Sequence, residues 1–420
     1  MAAPYLKRVV VTGLSMITPL GLNAQATFSG LLSKQSGLKK LSASDFTFAD
    51  QLKVKVAGRL WNWDQEPYLE KSNLLRNHYH ALALNCSEEV LTDSNWKTTN
   101  DEEKFKTGLL LGCPRTDTAT LSPMQKEITE SGYDATDKLF ALYGIPSKIV
   151  GTVSIYHKLG GFADTVCSGH CSGNNAIGTS YRAIQLEEAT VMLAGSIEPE
   201  LDAIWLQSLE KGNYGYNLEA EKNPEGSVKP FDANRKGWIL SEGGSIIILE
   251  ELEHALNRGA KIYAELAGFS MVSEAGDHTK RDGNGVYRSM RDAIRQAGLT
   301  PNDIDAVFGD ASGNFDWDYG EASAILRLFG RKTPAVTSIK GGLGHMQGAS
   351  SSTNVGAAAI SVQQGLIPPI TNLENPLSVD GVTPNFVTNV REQKLRAVVA
   401  NAVNYDGSAF SSIVLKAFTR

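Results

Sequence analysis

Apolar and polar positions alternate along the chain in two distinct ways. Short apolar runs, many β-branched and each bounded by Gly, Asn or charge, predict buried strands at 8–12, 107–111, 190–194, 245–249, 305–308, 397–400 and 412–415. Between them, apolar residues recur at helical spacing over 74–91 and over 285–297, where Gly298 supplies a stop signal. A further helix is predicted over 176–186, after a cluster of small residues. Strands that alternate with helices predict stacked α/β layers. The stretch 209–228 is polar and rich in Gly, Asn and Glu, and it reads as a surface loop.

The pattern also repeats. Residues 8–21, RVVVTGLSMITPLG, are echoed at 261–276 by KIYAELAGFSMVSEAG. Each is a basic-led run that reaches Gly-apolar-Ser-Met, at Gly13–Met16 and again at Gly268–Met271, 255 residues later. A second, weaker echo relates GHCSGNNAIG at 169–178 to GHMQGASSSTNVG at 344–356. Two related halves, 1–258 and 259–420, account for both echoes.

Composition narrows the function classes. The chain has 420 residues, 42% of them hydrophobic and 20% charged, with 40 glycines, which suits a globular protein with a large core and excludes collagen or coiled coil. Acidic residues number 46 against 40 basic, a net charge of −6, and no basic tract marks a nucleic-acid surface. The four cysteines, Cys86, Cys113, Cys167 and Cys171, are too few for a disulfide scaffold, and no second Cys or His pair follows at metal-ligand spacing. No run of 18 apolar residues occurs, and the opening MAAPYLKRVVVTG lacks a secretory stretch. A soluble, cytoplasmic protein without metal or membrane span is expected.

Three segments concentrate chemistry. In the first, 164–178, a strand-like run meets small residues and then a helix, around Cys167, His170 and Cys171. A helix start offers unpaired N–H groups and the positive end of the helix dipole, which activate a thiol. The commoner meaning of such a segment is a Gly-rich structural corner. The second, 338–349, places Lys340 five residues before His345 among several glycines. Lysine can hold the imidazole and leave its other nitrogen free for a substrate. In the third, 305–321, a strand ends in an acidic loop with Asp310, Asp318 and Glu321. Those carboxylates either cap backbone N–H groups, the commoner outcome, or bind a cation.

With these residues in view, the chain resembles the β-ketoacyl-acyl-carrier-protein synthases, the elongating condensing enzymes of type II fatty-acid and polyketide synthesis. The likeness rests on VVVTGLSMITPLG, on Lys229-Pro-Phe-Asp232 through Arg235-Lys-Gly237, on SIKGGLGHMQGA, on Leu366-Ile-Pro-Pro-Ile-Thr-Asn, and on the stretch from Asn401 to Lys416. It implies a thiolase-type α/β fold of two duplicated halves in stacked αβαβα layers, acting as a dimer without a resident cofactor. It also implies a nucleophilic Cys, two histidines and a lysine. Lys340 and His345 match the lysine and the second histidine.

Other positions depart from that pattern. Anchored on Gly173–Gly178, His170 takes the place of the nucleophile, Cys171 falls one residue late and Cys167 three residues early. One residue at a helix start is about 100° of rotation and about 1.5 Å of rise. Asp310 falls where the first histidine belongs; an aspartate accepts hydrogen bonds and, when ionised, repels an oxyanion. Asn404-Tyr405-Asp406 replaces a glycine-phenylalanine-glycine gate. These departures resemble the chain-length factor, the ketosynthase-like subunit that lacks the nucleophile, pairs with an active ketosynthase as a heterodimer and shapes an acyl tunnel. By the same resemblance, Met124, Leu139, Phe140, Leu142, Tyr143 and Tyr405 are expected along that tunnel, and acyl-carrier protein is the expected partner. An active synthase using Cys171 or Cys167, and a malonyl decarboxylase working through Lys340 and His345, are the alternatives.

Overall fold

The computed structural model describes residues 6–43, 49–72, 77–115, 117–140, 144–212, 214–275 and 282–419. Ten strands form its main sheet: β1 (Val9–Ile17), β2 (Thr107–Gly112), β3 (Ala163–Val166), β4 (Val191–Ile197), β5 (Gly244–Glu251), β6 (Ala264–Val272), β7 (Ala306–Phe308), β8 (Ala335–Thr337), β9 (Ala397–Val403) and β10 (Phe410–Lys416). Their spatial order is β8-β7-β9-β10-β6-β1-β5-β4-β2-β3. Counted outward from the β6–β1 seam, the five strands of each half follow the same sequence. Antiparallel pairs lie nearest the seam, and parallel pairs lie outside them.

Alternation within the strands explains the layering. Leu109, Leu111, Leu193, Ile246 and Ile248 face outward onto the helices His78–Ser94 and Lys148–His157. Their neighbours Leu110, Met192, Ala194, Ile247 and Leu249 face inward. In the second half, Val307 and Val399 pack outward with residues of the helices Asn284–Gln296 and Phe315–Phe329, while Phe308, Val398 and Ala400 face inward. The inward sides share one core with the two central helices, α1 (Ser172–Gln185) and α2 (Gln347–Gln364).

The repeated Gly-apolar-Ser-Met has a structural cause. Pairing of β1 with β5 skips Thr12, and pairing of β6 with β10 skips Ala267, so both strands bulge at equivalent residues 255 apart. The glycine after each bulge then lets an outer helix close in. A Cβ on Gly13 would sit 2.8 Å from the Val90 carbonyl, and one on Gly268 would strike the Ala293 carbonyl. The central helices repeat likewise, starting 175 residues apart. They approach at Gly173, where a Cβ would lie 2.6 Å from the Gly348 carbonyl. We propose the turn after Arg258 as the junction of the halves.

Several expected boundaries move. The helix expected over 74–91 is His78–Ser94, because Asn77 accepts the His80 N–H at 3.0 Å and caps it; Leu74 lies outside the described residues. The loop expected at 209–228 begins inside a helix, Ala203–Gly212, which buries Leu206 and Leu209. Strands β3 and β8, four and three residues long, carried too little pattern to be predicted. Among the described residues no helix is long and apolar enough to cross a membrane.

Candidate functional site

His170 and His345 are themselves 175 residues apart, and each stands two residues before its central helix. The duplication thus brings the two imidazoles face to face. Their ring centroids are 4.4 Å apart, with a 57° tilt, and both residues are buried. His345 is fixed through its backbone, which donates to the Ile239 carbonyl and accepts from the Ser241 amide. The turn before it needs Gly344, whose φ is +71°. The Gln347 N–H donates to His345 Nδ1 at 2.9 Å, so the neutral ring carries its proton on Nε2.

Lys340 Nζ lies 3.2 Å from that Nε2 and 2.8 Å from Asp310 Oδ1. Burial, then the Lys340 charge and then His170, hold His345 well below the usual histidine range. Burial followed by Lys340 pushes His170 down to about 3. Both rings are therefore neutral at physiological pH, and His170 Nδ1 has no hydrogen-bond partner among the described residues. Asp310 corrects an expectation. Burial raises its carboxyl to about 7 against the opposing pull of Lys340, and it is paired rather than a free anion facing the site.

Aromatic side chains enclose the pair. Tyr405 lies 4.7 Å from His170 and stacks on Trp317 at 5.5 Å, and Trp238 lies 5.1 Å from His345. Tyr405, expected along a tunnel, instead covers His170. Trp238 and Trp317 were not singled out from sequence, because an isolated tryptophan has no distinguishing pattern.

Neither candidate sulfur stands in a nucleophile's environment. Cys171 packs with Ala402 and Ala409, and its S–H donates to the Ala409 carbonyl at 3.4 Å. Burial pushes this thiol up to about 12, with Asp310 adding to the effect. Nucleophilic cysteines are shifted the other way. Cys167 is exposed, one residue beyond β3.

The acidic loop is built by capping. Asp318 accepts from the amides of Phe231, Ser312 and Gly313 at 2.8–3.0 Å. Glu321 accepts from Asp310 N and Ala311 N at 3.0 and 2.8 Å, and from Asn401 Nδ2 at 2.9 Å. Among the described residues no cluster could hold a metal ion.

The expected tunnel residues do not converge on the histidines. Met124 lies on Thr118–Ser131, a helix without a buried residue, and Leu139 and Phe140 are likewise half-exposed. Leu142 and Tyr143 lie outside the described residues. Sequence reading also missed a buried group of charges, Arg115, Glu198 and Asp202. Its members sit 83 and 4 residues apart, with no local spacing to join them.

What the arrangement lacks is an activated thiolate. What it offers is a neutral imidazole pair beside a lysine, able to donate hydrogen bonds from His345 Nε2 to a carbonyl oxygen.

Comparison with known proteins accords with this geometry. Residues 6–255 match the family description "Beta-ketoacyl synthase, N-terminal domain", and residues 263–374 match "Beta-ketoacyl synthase, C-terminal domain". The 3-oxoacyl-[acyl-carrier-protein] synthase 2 of Rhizobium meliloti (strain 1021) is 30% identical over 99% of this chain and 100% of its own. The mitochondrial 3-oxoacyl-[acyl-carrier-protein] synthase of Arabidopsis thaliana is 30% identical over 96% of this chain and 92% of its own. A solved type II PKS acyl-carrier protein in complex with its ketosynthase superposes with a TM-score of 0.88 at 24% identity, covering 99% of this chain and 100% of that one. The ishigamide ketosynthase/chain length factor gives a TM-score of 0.88 at 22% identity, with the same coverage. At these identities the two structures establish the thiolase-type fold.

Proposed function

Because the chain belongs to the β-ketoacyl synthase family, we propose that it serves acyl-chain elongation on carrier protein as a ketosynthase-like subunit paired with an active ketosynthase, the role of a chain-length factor. One observation carries this reading. An imidazole, His170, stands where the resemblance places the nucleophile, while the adjacent Cys171 thiol is buried and pushed up to about 12. A buried, protonated thiol cannot accept an acyl group from a thioester at neutral pH. Engagement of Lys340 by Asp310 supports the same reading. Acyl-carrier protein as a partner is supported by the solved neighbour in which a carrier protein is bound to its ketosynthase.

A second reading, an active β-ketoacyl synthase, is favoured by the names of the relatives, which are synthases over nearly the full chain. The relatives argue for turnover and the local chemistry argues against it. Condensation assays on the isolated chain with acyl- and malonyl-carrier protein separate the two. No product is expected from the chain alone, and its native mass with a co-purifying ketosynthase should be that of a heterodimer. Turnover by the isolated chain that Cys171→Ala or Cys167→Ala abolishes establishes the synthase instead.

A further inference from the structure

Three charged side chains meet inside the first half, beyond the C-terminal ends of β2 and β4. Arg115 is 5% exposed, Glu198 1% and Asp202 6%. The Arg115 guanidinium donates to Asp202 Oδ2 at 3.2 Å and to the carbonyls of Pro199 and Glu200 at 2.8 Å each, and it lies over the Trp205 ring. Its Nε is 3.6 Å from Glu198 Oε2. Neither oxygen of Glu198 has a hydrogen-bond partner among the described residues. Burial raises this carboxyl to about 8, opposed by Arg115 and by the amides of Ala349 and Gly348.

The place of this cluster matters more than its titration. Gly348 stands three residues after His345, and a Cβ on it would lie 3.2 Å from both Pro114 and Ser172. From the histidine pair the packed contacts therefore pass through Gly348 to Glu198, then to Arg115 and Asp202. Asp202 in turn accepts the Thr118 hydroxyl at 2.6 Å, at the start of the helix that carries Met124. An aliphatic chain running from the histidines toward that helix would have to lie against a desolvated guanidinium and carboxylate. Such a wall rewards no methylene burial, and displacing one charge strands the others. Acyl sites are lined by apolar groups for this reason.

We propose that Arg115, held by Asp202 and Glu198, is a specificity-determining residue that seals the interior of this chain against aliphatic acyl groups. An acyl chain handled by the complex then lies outside this subunit's own interior, against a partner. The inference rests on the subunit reading above for its biological meaning, but its test needs neither partner nor turnover.

The test measures binding of dodecanoyl-pantetheine by calorimetry. Wild-type protein is compared with Arg115→Leu/Glu198→Gln/Asp202→Asn, which removes all three charges together and strands none. The variant is expected to bind at least about tenfold tighter than wild type, and tighter still for longer acyl chains. A folded variant that binds no better than wild type overturns the proposal. Should the variant fail to fold, wild-type protein photolabelled with a diazirine-bearing dodecanoyl-pantetheine decides. Labels confined to surface residues support the seal, and labels on Arg115, Glu198 or Asp202 overturn it. Condensation by the isolated chain would defeat the subunit reading separately, without altering either result.

Discussion

Asp310→Asn isolates the interaction at the centre of the site. The substitution keeps the side-chain volume and removes the only carboxylate in ion-pair contact with Lys340 among the described residues, 2.8 Å from Nζ. Both residues are buried, and the ammonium would be left facing a neutral imidazole at 3.2 Å. At an effective dielectric constant of about 20, the Coulomb attraction at this separation is about 6 kcal/mol, from which desolvation already suffered by both groups must be subtracted. Removing one member of a buried pair costs about 3–5 kcal/mol, because the survivor stays desolvated. For 420 residues the entropy of unfolding sets a scale of about 1 °C per kcal/mol, so Asp310→Asn should melt about 3–5 °C below wild type. The assay is a thermal melt at pH 8, where a carboxyl raised to about 7 is mostly ionised. The double variant Asp310→Asn/Lys340→Met should recover most of the loss, giving a coupling energy of about 2–4 kcal/mol. A single variant that melts within about 1 °C of wild type would refute the pairing argument.

Two other outcomes follow from the same burial. Native His80 and His157 titrate at about 4 and His170 at about 3, so the unfolded chain takes up protons first as pH falls below about 6.5, and stability drops. Glu89 and Asp310 at about 7, and Glu198 at about 8, act in the opposite sense: the native state keeps protons that the unfolded chain has released, and stability declines as pH rises to about 8. The urea midpoint should therefore peak between about pH 4.5 and 6.5, and a midpoint that climbs steadily from pH 6 to 8.5 contradicts the assignment. For the thiols, brief iodoacetamide treatment of native protein followed by peptide mapping should modify Cys167, the exposed one, and spare Cys86, Cys113 and Cys171. Rapid alkylation of Cys171 would show an accessible thiolate.

Much of the fold was legible because duplication wrote the same pattern twice. The 255-residue echo corresponds to a shared bulge whose glycine admits an outer helix, a constraint strong enough to persist as a motif. The weaker 175-residue echo corresponds to the two central helices and to the histidines in front of them. Lys340 and His345 were legible from local spacing, and their contact is real. The pairing of Lys340 with Asp310 spans 30 residues and depends on how β7 and β8 lie side by side, which no local pattern records. The aromatic enclosure assembles Trp238, Trp317 and Tyr405 from three separate segments. Met124, Leu139 and Phe140 show the converse. They are bulky and apolar in sequence, yet half-exposed in the folded chain, because the charged Arg115 cluster lies between them and the histidines.

The most direct measurement is intact mass after the purified chain meets decanoyl-carrier protein at pH 7.5. With an imidazole in the nucleophile's place and the nearest thiol buried, the chain's mass should stay unchanged while an added ketosynthase gains one decanoyl group. A hydroxylamine-sensitive decanoyl adduct on Cys171 or Cys167 of this chain would contradict the account.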